Sequence, residues 1–125
     1  LVDVPPVAAN QHVAAVTATD RAALVARDGR RGADALPRLR DRLRDLDAAS
    51  PGDFVVANRV ADAPVVADPA VAVPESDVVD PAAAPVCVTA TGAFPRAVSE
   101  LAERAFDAEL DVDVGPRTLP DKILN

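Results

Sequence analysis

Hydrophobic residues recur with helical spacing most clearly in the second quarter of the chain. Arginine and aspartate fill the positions between four leucines spaced by three or four residues: Leu36, Leu39, Leu43 and Leu46. This spacing places the leucines on one face of a helix. We predict a helix over residues 35–47, with Asp34 as its N-cap and Pro37 in its first turn.

A second amphipathic pattern covers residues 95–109. Its apolar face is formed by Val98, Leu101, Ala102 and Ala105. Arg96, Glu100 and Arg104 follow each other at i, i+4 spacing, which supports an exposed helical face. Pro95 suits the first turn of this predicted helix.

Short apolar runs rich in Val and Ala predict the remaining elements. We predict a strand at 12–18 and a helix at 21–27, followed by further strands at 54–57, 86–90 and 111–114. Strands that alternate with helices favour an α/β fold. The prediction is one small layered domain spanning 1–125, either complete or part of a longer chain, with a short mixed sheet and two main helices.

Proline interrupts the segment 61–85, where Ala, Val and Asp dominate the remaining positions. Proline cannot donate a hydrogen bond to a sheet ladder. We therefore expect short edge strands or irregular structure in this segment.

Charge is distributed unevenly along the chain. The formal net charge is −7, yet residues 20–44 hold eight of the twelve arginines against four aspartates. From Asp45 onward fifteen carboxylates stand against five basic side chains. Such a field can attract an anion or orient a partner, and an acidic surface is equally typical of a salt-adapted or high-GC prokaryotic protein.

Composition narrows the compartment and the partners. A single cysteine, Cys87, excludes a disulfide within these residues, which favours the reducing cytoplasm. The uncharged stretch from Pro81 to Pro95 is shorter than the roughly 20 residues of a membrane helix. Nucleic acid is disfavoured, because the chain is acidic and no aromatic residues interleave with its arginines.

The turn between the predicted strand at 86–90 and the following helix is the first candidate site. Thr89, Thr91 and Gly92 would present hydroxyl and backbone N–H groups at a helix N-terminus, where phosphate binds readily. In the alternative interpretation Thr91 caps the helix and Gly92 only makes the turn.

Two further groups of residues could contribute. Arg30 and Arg31 border a glycine-containing loop and could clamp a phosphate. Asp111 and Asp113 would share one face of a strand, where they could bind Mg²⁺, with Asp113 as the candidate catalytic carboxylate. Solvated surface charges are the alternative interpretation of both groups.

These residues predict a cytoplasmic domain that binds a small anionic ligand, either a phosphorylated metabolite or a nucleotide. The sequence does not decide whether the domain also catalyses a reaction. The alternative hypothesis is a non-catalytic interaction or homo-oligomerisation module that uses the leucine stripe against a partner chain.

Overall fold

The computed structural model describes residues 1–5, 9–78, 80, 82 and 92–111. The chain forms two compact units, Leu1–Glu75 and Ser76–Asn125. The elements described in the first unit are α1 (Asn10–Thr17), β1 (Ala23–Arg27), α2 (Arg30–Asp45), β2 (Phe54–Val60) and β3 (Val71–Pro74). The second unit contributes α3 (Ala93–Phe106). This element order confirms the predicted α/β class, whereas the single-domain assignment stays a prediction.

The three described strands form a parallel sheet in the order β1-β2-β3. Ala23 pairs with Phe54 at the start of the β1–β2 ladder, and Val56 pairs with Val71 in the β2–β3 ladder. We expected a mixed sheet, but parallel neighbours need a crossover, and α2 supplies the one between β1 and β2. All three strands therefore end at the same edge, which we call the carboxyl edge.

Three leucines of the predicted stripe pack in the core of the first unit. Leu36 and Leu43 are 5% and 8% exposed, and Leu39 packs against the same cluster from a half-buried position. On the sheet, four residues of β1 and β2 belong to this cluster: Leu24, Ala26, Val55 and Ala57. The apolar periodicity therefore correctly predicted a buried helical face.

Two of the predicted elements are wrong in type. Residues 12–18 were expected to form a strand, but most of them belong to α1. Residues 21–27 were expected to form a helix, but Ala23–Arg27 is strand β1, in which exposed and buried residues alternate. Local preference does not distinguish helix from strand here, because the Ala and Val residues suit either structure. Pairing with β2, which buries every second residue of the segment, makes it a strand.

The helix predicted at 35–47 begins five residues earlier than expected. Gly29, with φ 127°, occupies the N-cap position, so Asp34 lies inside the helix and Pro37 lies beyond its first turn. The helix predicted at 95–109 exists as α3, with Gly92 as N-cap and Asp107 in the left-handed region at its end.

The predicted strand at 54–57 is confirmed as the first part of β2. Strand β3 lies within the segment 61–85, and the edge-strand or irregular character expected of that segment stays a prediction. The predicted strand at 86–90 lies outside the described residues, as do residues 112–114 of the last predicted strand. None of the described helices combines the length and apolar character needed to span a membrane.

Candidate functional site

The turn between β1 and α2 lies at the carboxyl edge of the sheet and leaves the helix N-terminus open. The first intrahelical hydrogen bond runs from the Ala33 N–H to the Gly29 carbonyl oxygen, at 3.0 Å. The backbone N–H groups of Arg30, Arg31 and Gly32 precede that bond, and no side chain of the described residues caps the helix. Such N–H groups lack intrahelical partners and carry the positive end of the helix dipole.

Two glycines shape this turn in different ways. Gly29 adopts φ 127°, which disfavours other residues, and among the described residues no atom beyond its chain neighbours lies within 4 Å of the position that a Cβ would occupy. A Cβ at Gly32 would collide with the carbonyl oxygen of Arg27 and would lie 3.4 Å from the Ala26 Cβ. Gly29 thus leaves open space at the turn, and Gly32 lets the first turn of α2 approach β1 closely.

Asp28 fastens the loop after β2 to this turn. Its Oδ1 accepts the backbone N–H groups of Val65 and Val66, at 2.8 and 3.0 Å. Its own N–H donates to the carbonyl oxygen of Asn58 at 2.7 Å. Because Val66 is 1% exposed, this loop has a buried anchor as well. The Asp28 carboxylate therefore has a structural role, which nothing in the sequence indicated.

The end of β2 carries a backbone irregularity at the same edge. Its pairing with β3 shifts between Asn58 and Val60, and Arg59 adopts φ 62°. The Arg59 guanidinium forms an ion pair with Glu75 just beyond β3, with 2.6 Å between Nη2 and Oε1. Bulges and left-handed non-glycine residues cost conformational energy and are enriched near functional sites.

Positive charge collects around the open turn. Arg27, Arg30 and Arg31 are exposed, and none of them has a hydrogen bond or an ion pair to another side chain within the described ranges. The side chain of Asn58 is half-buried and likewise without a partner there. Asn58 is also the register partner of Arg27. Because side chains alternate along a strand, Arg27 and Asn58 lie on the face of the sheet opposite α2, so the exposed guanidinium groups on the open helix turn itself are those of Arg30 and Arg31.

The site predicted around residues 86–98 is only partly described. Gly92 occupies the N-cap position of α3 with φ 104°, and no atom in the described part of the chain, its chain neighbours aside, lies within 4 Å of the position of a Cβ there. Thr89 and Thr91 lie outside the described residues. Pro95 has no N–H, so the first three residues of α3 have only two backbone N–H groups. The first three residues of α2 have three. Gly92 belongs to the second unit and Arg30 and Arg31 to the first, so a joint clamp on one phosphate stays a prediction.

Of the two carboxylates expected to bind Mg²⁺, Asp111 and Asp113, the structure describes only Asp111. Asp111 is exposed and belongs to neither a helix nor a strand, and Asp113 lies outside the described residues. Within the part of the chain that the structure describes, no group of three or more His, Cys, Asp or Glu side chains could hold a metal ion. His12 accepts the Ala9 N–H at Nδ1, at 3.3 Å, which places it at the start of α1.

Fold and site together define a small α/β domain whose carboxyl edge carries an open helix N-terminus and three exposed arginines. No protein-family model, curated protein or solved structure matches the chain.

Proposed function

We propose that this domain binds a phosphorylated metabolite or a nucleotide, with a phosphate group on the first turn of α2. The helix N-terminus without a side-chain cap among the described residues, with exposed Arg30 and Arg31 in its first turn, is the observation that carries the proposal. Backbone N–H groups there would donate to phosphate oxygens, and the helix dipole would favour the negative charge. The arginines would add charge-assisted hydrogen bonds of about 1.5–3 kcal/mol each.

The described part of the site supports binding more directly than catalysis. Asp28 is its nearest carboxylate in sequence, and Oδ1 of that carboxylate already accepts two backbone N–H groups. Asp113, with Asp111 and Mg²⁺, stays the candidate for any chemistry on the bound ligand. We also propose a reducing, cytoplasmic location, on the basis of the single cysteine.

The leucine stripe does not support the alternative interaction module. Leu36 and Leu43 are buried in the core of their own chain, which accounts for the stripe without a partner. The interaction hypothesis therefore depends on charge segregation alone.

Calorimetric titration with inorganic phosphate, ATP and a sugar phosphate tests the proposal. At 100 times its dissociation constant, a ligand should also raise the free energy of unfolding by about 2.7 kcal/mol. Repeating the titration in about 2 M KCl should weaken binding, because salt screens exposed charges. Stability that rises with KCl, with no ligand bound, would indicate salt adaptation instead.

A pair of double variants locates the phosphate. Arg30→Ala with Arg31→Ala should weaken binding at least tenfold. Arg38→Ala with Arg42→Ala removes the same charge from exposed positions farther along α2, and should have little effect. Equal weakening by both double variants would show that only the overall charge matters, and would refute a site at the helix N-terminus.

A further inference from the structure

A cavity of about 320 Å³ opens at the amino ends of β1 and β2, beside the last turns of α2. It thus lies at the opposite edge of the sheet from the phosphate site. Its apolar lining includes Leu24, Leu43 and Val55, which are 4–9% exposed. The volume is at the lower end of the range for small-molecule sites.

The polar part of this cavity carries charges of both signs. Arg44 is paired with Asp41 at 2.7 Å, whereas Arg40 has no hydrogen-bonding or ionic partner among the described residues. Arg40 is therefore the cation at the cavity that can accept an anionic group without breaking an existing contact.

Ser50 and Asp53 complete the polar wall. The two oxygens of the Asp53 carboxylate each accept one backbone N–H, from Ala22 at 2.7 Å and from Ser50 at 2.8 Å. A carboxylate has about four acceptor positions, so Asp53 can accept further donors. The Ser50 hydroxyl oxygen accepts the Gly52 N–H at 3.2 Å, which leaves its own proton to donate.

We propose that this cavity binds an α-amino acid with an apolar side chain, such as leucine. The ligand carboxylate would bind Arg40 and the Ser50 hydroxyl, its ammonium group would bind Asp53, and its side chain would contact the apolar lining. A simple carboxylate would place no cation against the Asp53 carboxylate, and a simple amine would place no anion against the Arg40 guanidinium. A phosphorylated ligand would meet repulsion from Asp53, so this site and the phosphate site should bind different compounds.

The ligand assignment is tested by calorimetric titration of the full chain with three related compounds. Leucine should bind, whereas 4-methylpentanoate lacks its ammonium group and 3-methylbutylamine lacks its carboxylate. Loss of either charge-assisted contact should weaken binding about tenfold or more. Equal binding of leucine and 4-methylpentanoate would overturn the assignment, as would leucine binding weaker than about 10 mM.

Two variants test the location. Arg40 and Ala49 line the cavity and are exposed, so changing them should leave the fold intact. Arg40→Ala should weaken leucine binding about tenfold, and Ala49→Phe should block it by filling the rim. Arg38→Ala, outside the cavity on the same helix, is the charge-matched control and should bind normally.

Urea unfolding of each variant verifies that the fold is retained. Normal leucine binding to both Arg40→Ala and Ala49→Phe would overturn the proposal. Phosphate binding at the start of α2 should be unchanged in Ala49→Phe, so the two proposed sites can fail independently.

Discussion

Replacing Gly32 by alanine should destabilise the first unit, although the same change favours an isolated helix. In an exposed helix interior, Gly→Ala gains about 0.8–1 kcal/mol of helix propensity. At Gly32, however, the new Cβ would meet the Arg27 carbonyl group, with the carbonyl carbon at 3.1 Å and the oxygen closer still. The obstacle is backbone, so it cannot rotate away as a flexible side chain would.

The rigidity of β1 determines the size of this effect. The strand pairs with β2 over five residues, and Ala26, beside the collision, is 6% exposed in the core. Relief would require α2 to move away from β1 and would weaken the packing of Leu36. Inserting a methyl group into such packing costs about 1–3 kcal/mol, occasionally more. Because the obstacle is backbone, we take the upper part of this range, about 2–3 kcal/mol. After the gain in helix propensity, we expect a net loss of about 1–2 kcal/mol.

Urea unfolding followed by far-ultraviolet circular dichroism measures this loss. The matched control is Gly52→Ala, where the nearest atom to the new Cβ would be the Arg21 Nε at an ordinary 3.5 Å. That variant should be neutral or gain up to about 1 kcal/mol, because alanine restricts the unfolded chain. If Gly32→Ala were as stable as the unchanged protein, α2 would not approach β1 as closely as described, and the geometry of the phosphate site would be wrong.

Three further changes test the core, the loop anchor and the bulge, and each can be followed by the same unfolding measurement. Leu43→Ala should cost about 2–5 kcal/mol, because Leu43 is 8% exposed in the core; an unchanged stability accompanied by loss of a dimer would instead favour the interaction module. Asp28→Ala should cost about 1–3 kcal/mol, because two backbone N–H groups lose their acceptor, and Asp28→Asn should cost less because a side-chain oxygen remains. Arg59→Gly should stay within about 1 kcal/mol of the unchanged protein, because relief of the strain at φ 62° offsets loss of the exposed ion pair with Glu75. Arg59→Val should be clearly less stable than Arg59→Gly, and equal stability would argue against a left-handed backbone at this position.

The sequence predicted long amphipathic helices better than short apolar elements. The stripe of α2 contains residues that pack on the sheet, and their spacing is incompatible with a strand. Residues 12–18 and 21–27 contain mainly Ala and Val, whose local preferences oppose each other and nearly cancel. Tertiary pairing decides between helix and strand in such runs, and it is not encoded in their periodicity.

The start of α2 was predicted too late because Asp34 and Pro37 favour a start near residue 35, whereas the helix begins after Gly29. Asp34 is a good N-cap residue, and Pro37 three residues later fits a first turn, so a start near residue 35 was the locally favoured interpretation. The helix instead begins after Gly29, and its first turn contains Gly32, a poor helix former. Packing of that turn against β1 replaces the missing propensity, and only the three-dimensional structure reveals this contact.

The incorrect prediction of a helix at residues 21–27 also obscured the candidate site at residues 28–32. A Gly-x-x-Gly spacing acquires meaning when it follows a strand and opens a helix, because one glycine then makes the turn and the other allows close packing. A helix at residues 21–27 would instead leave Arg30 and Arg31 in a glycine-containing loop, away from any helix N-terminus. A strand at Ala23–Arg27 would have placed Arg30 and Arg31 on an open helix N-terminus, but the sequence Ala-Leu-Val-Ala-Arg carries no polar alternation that identifies such a strand. The chemistry of this site was therefore present in the sequence, but its recognition depended on assigning one five-residue strand correctly.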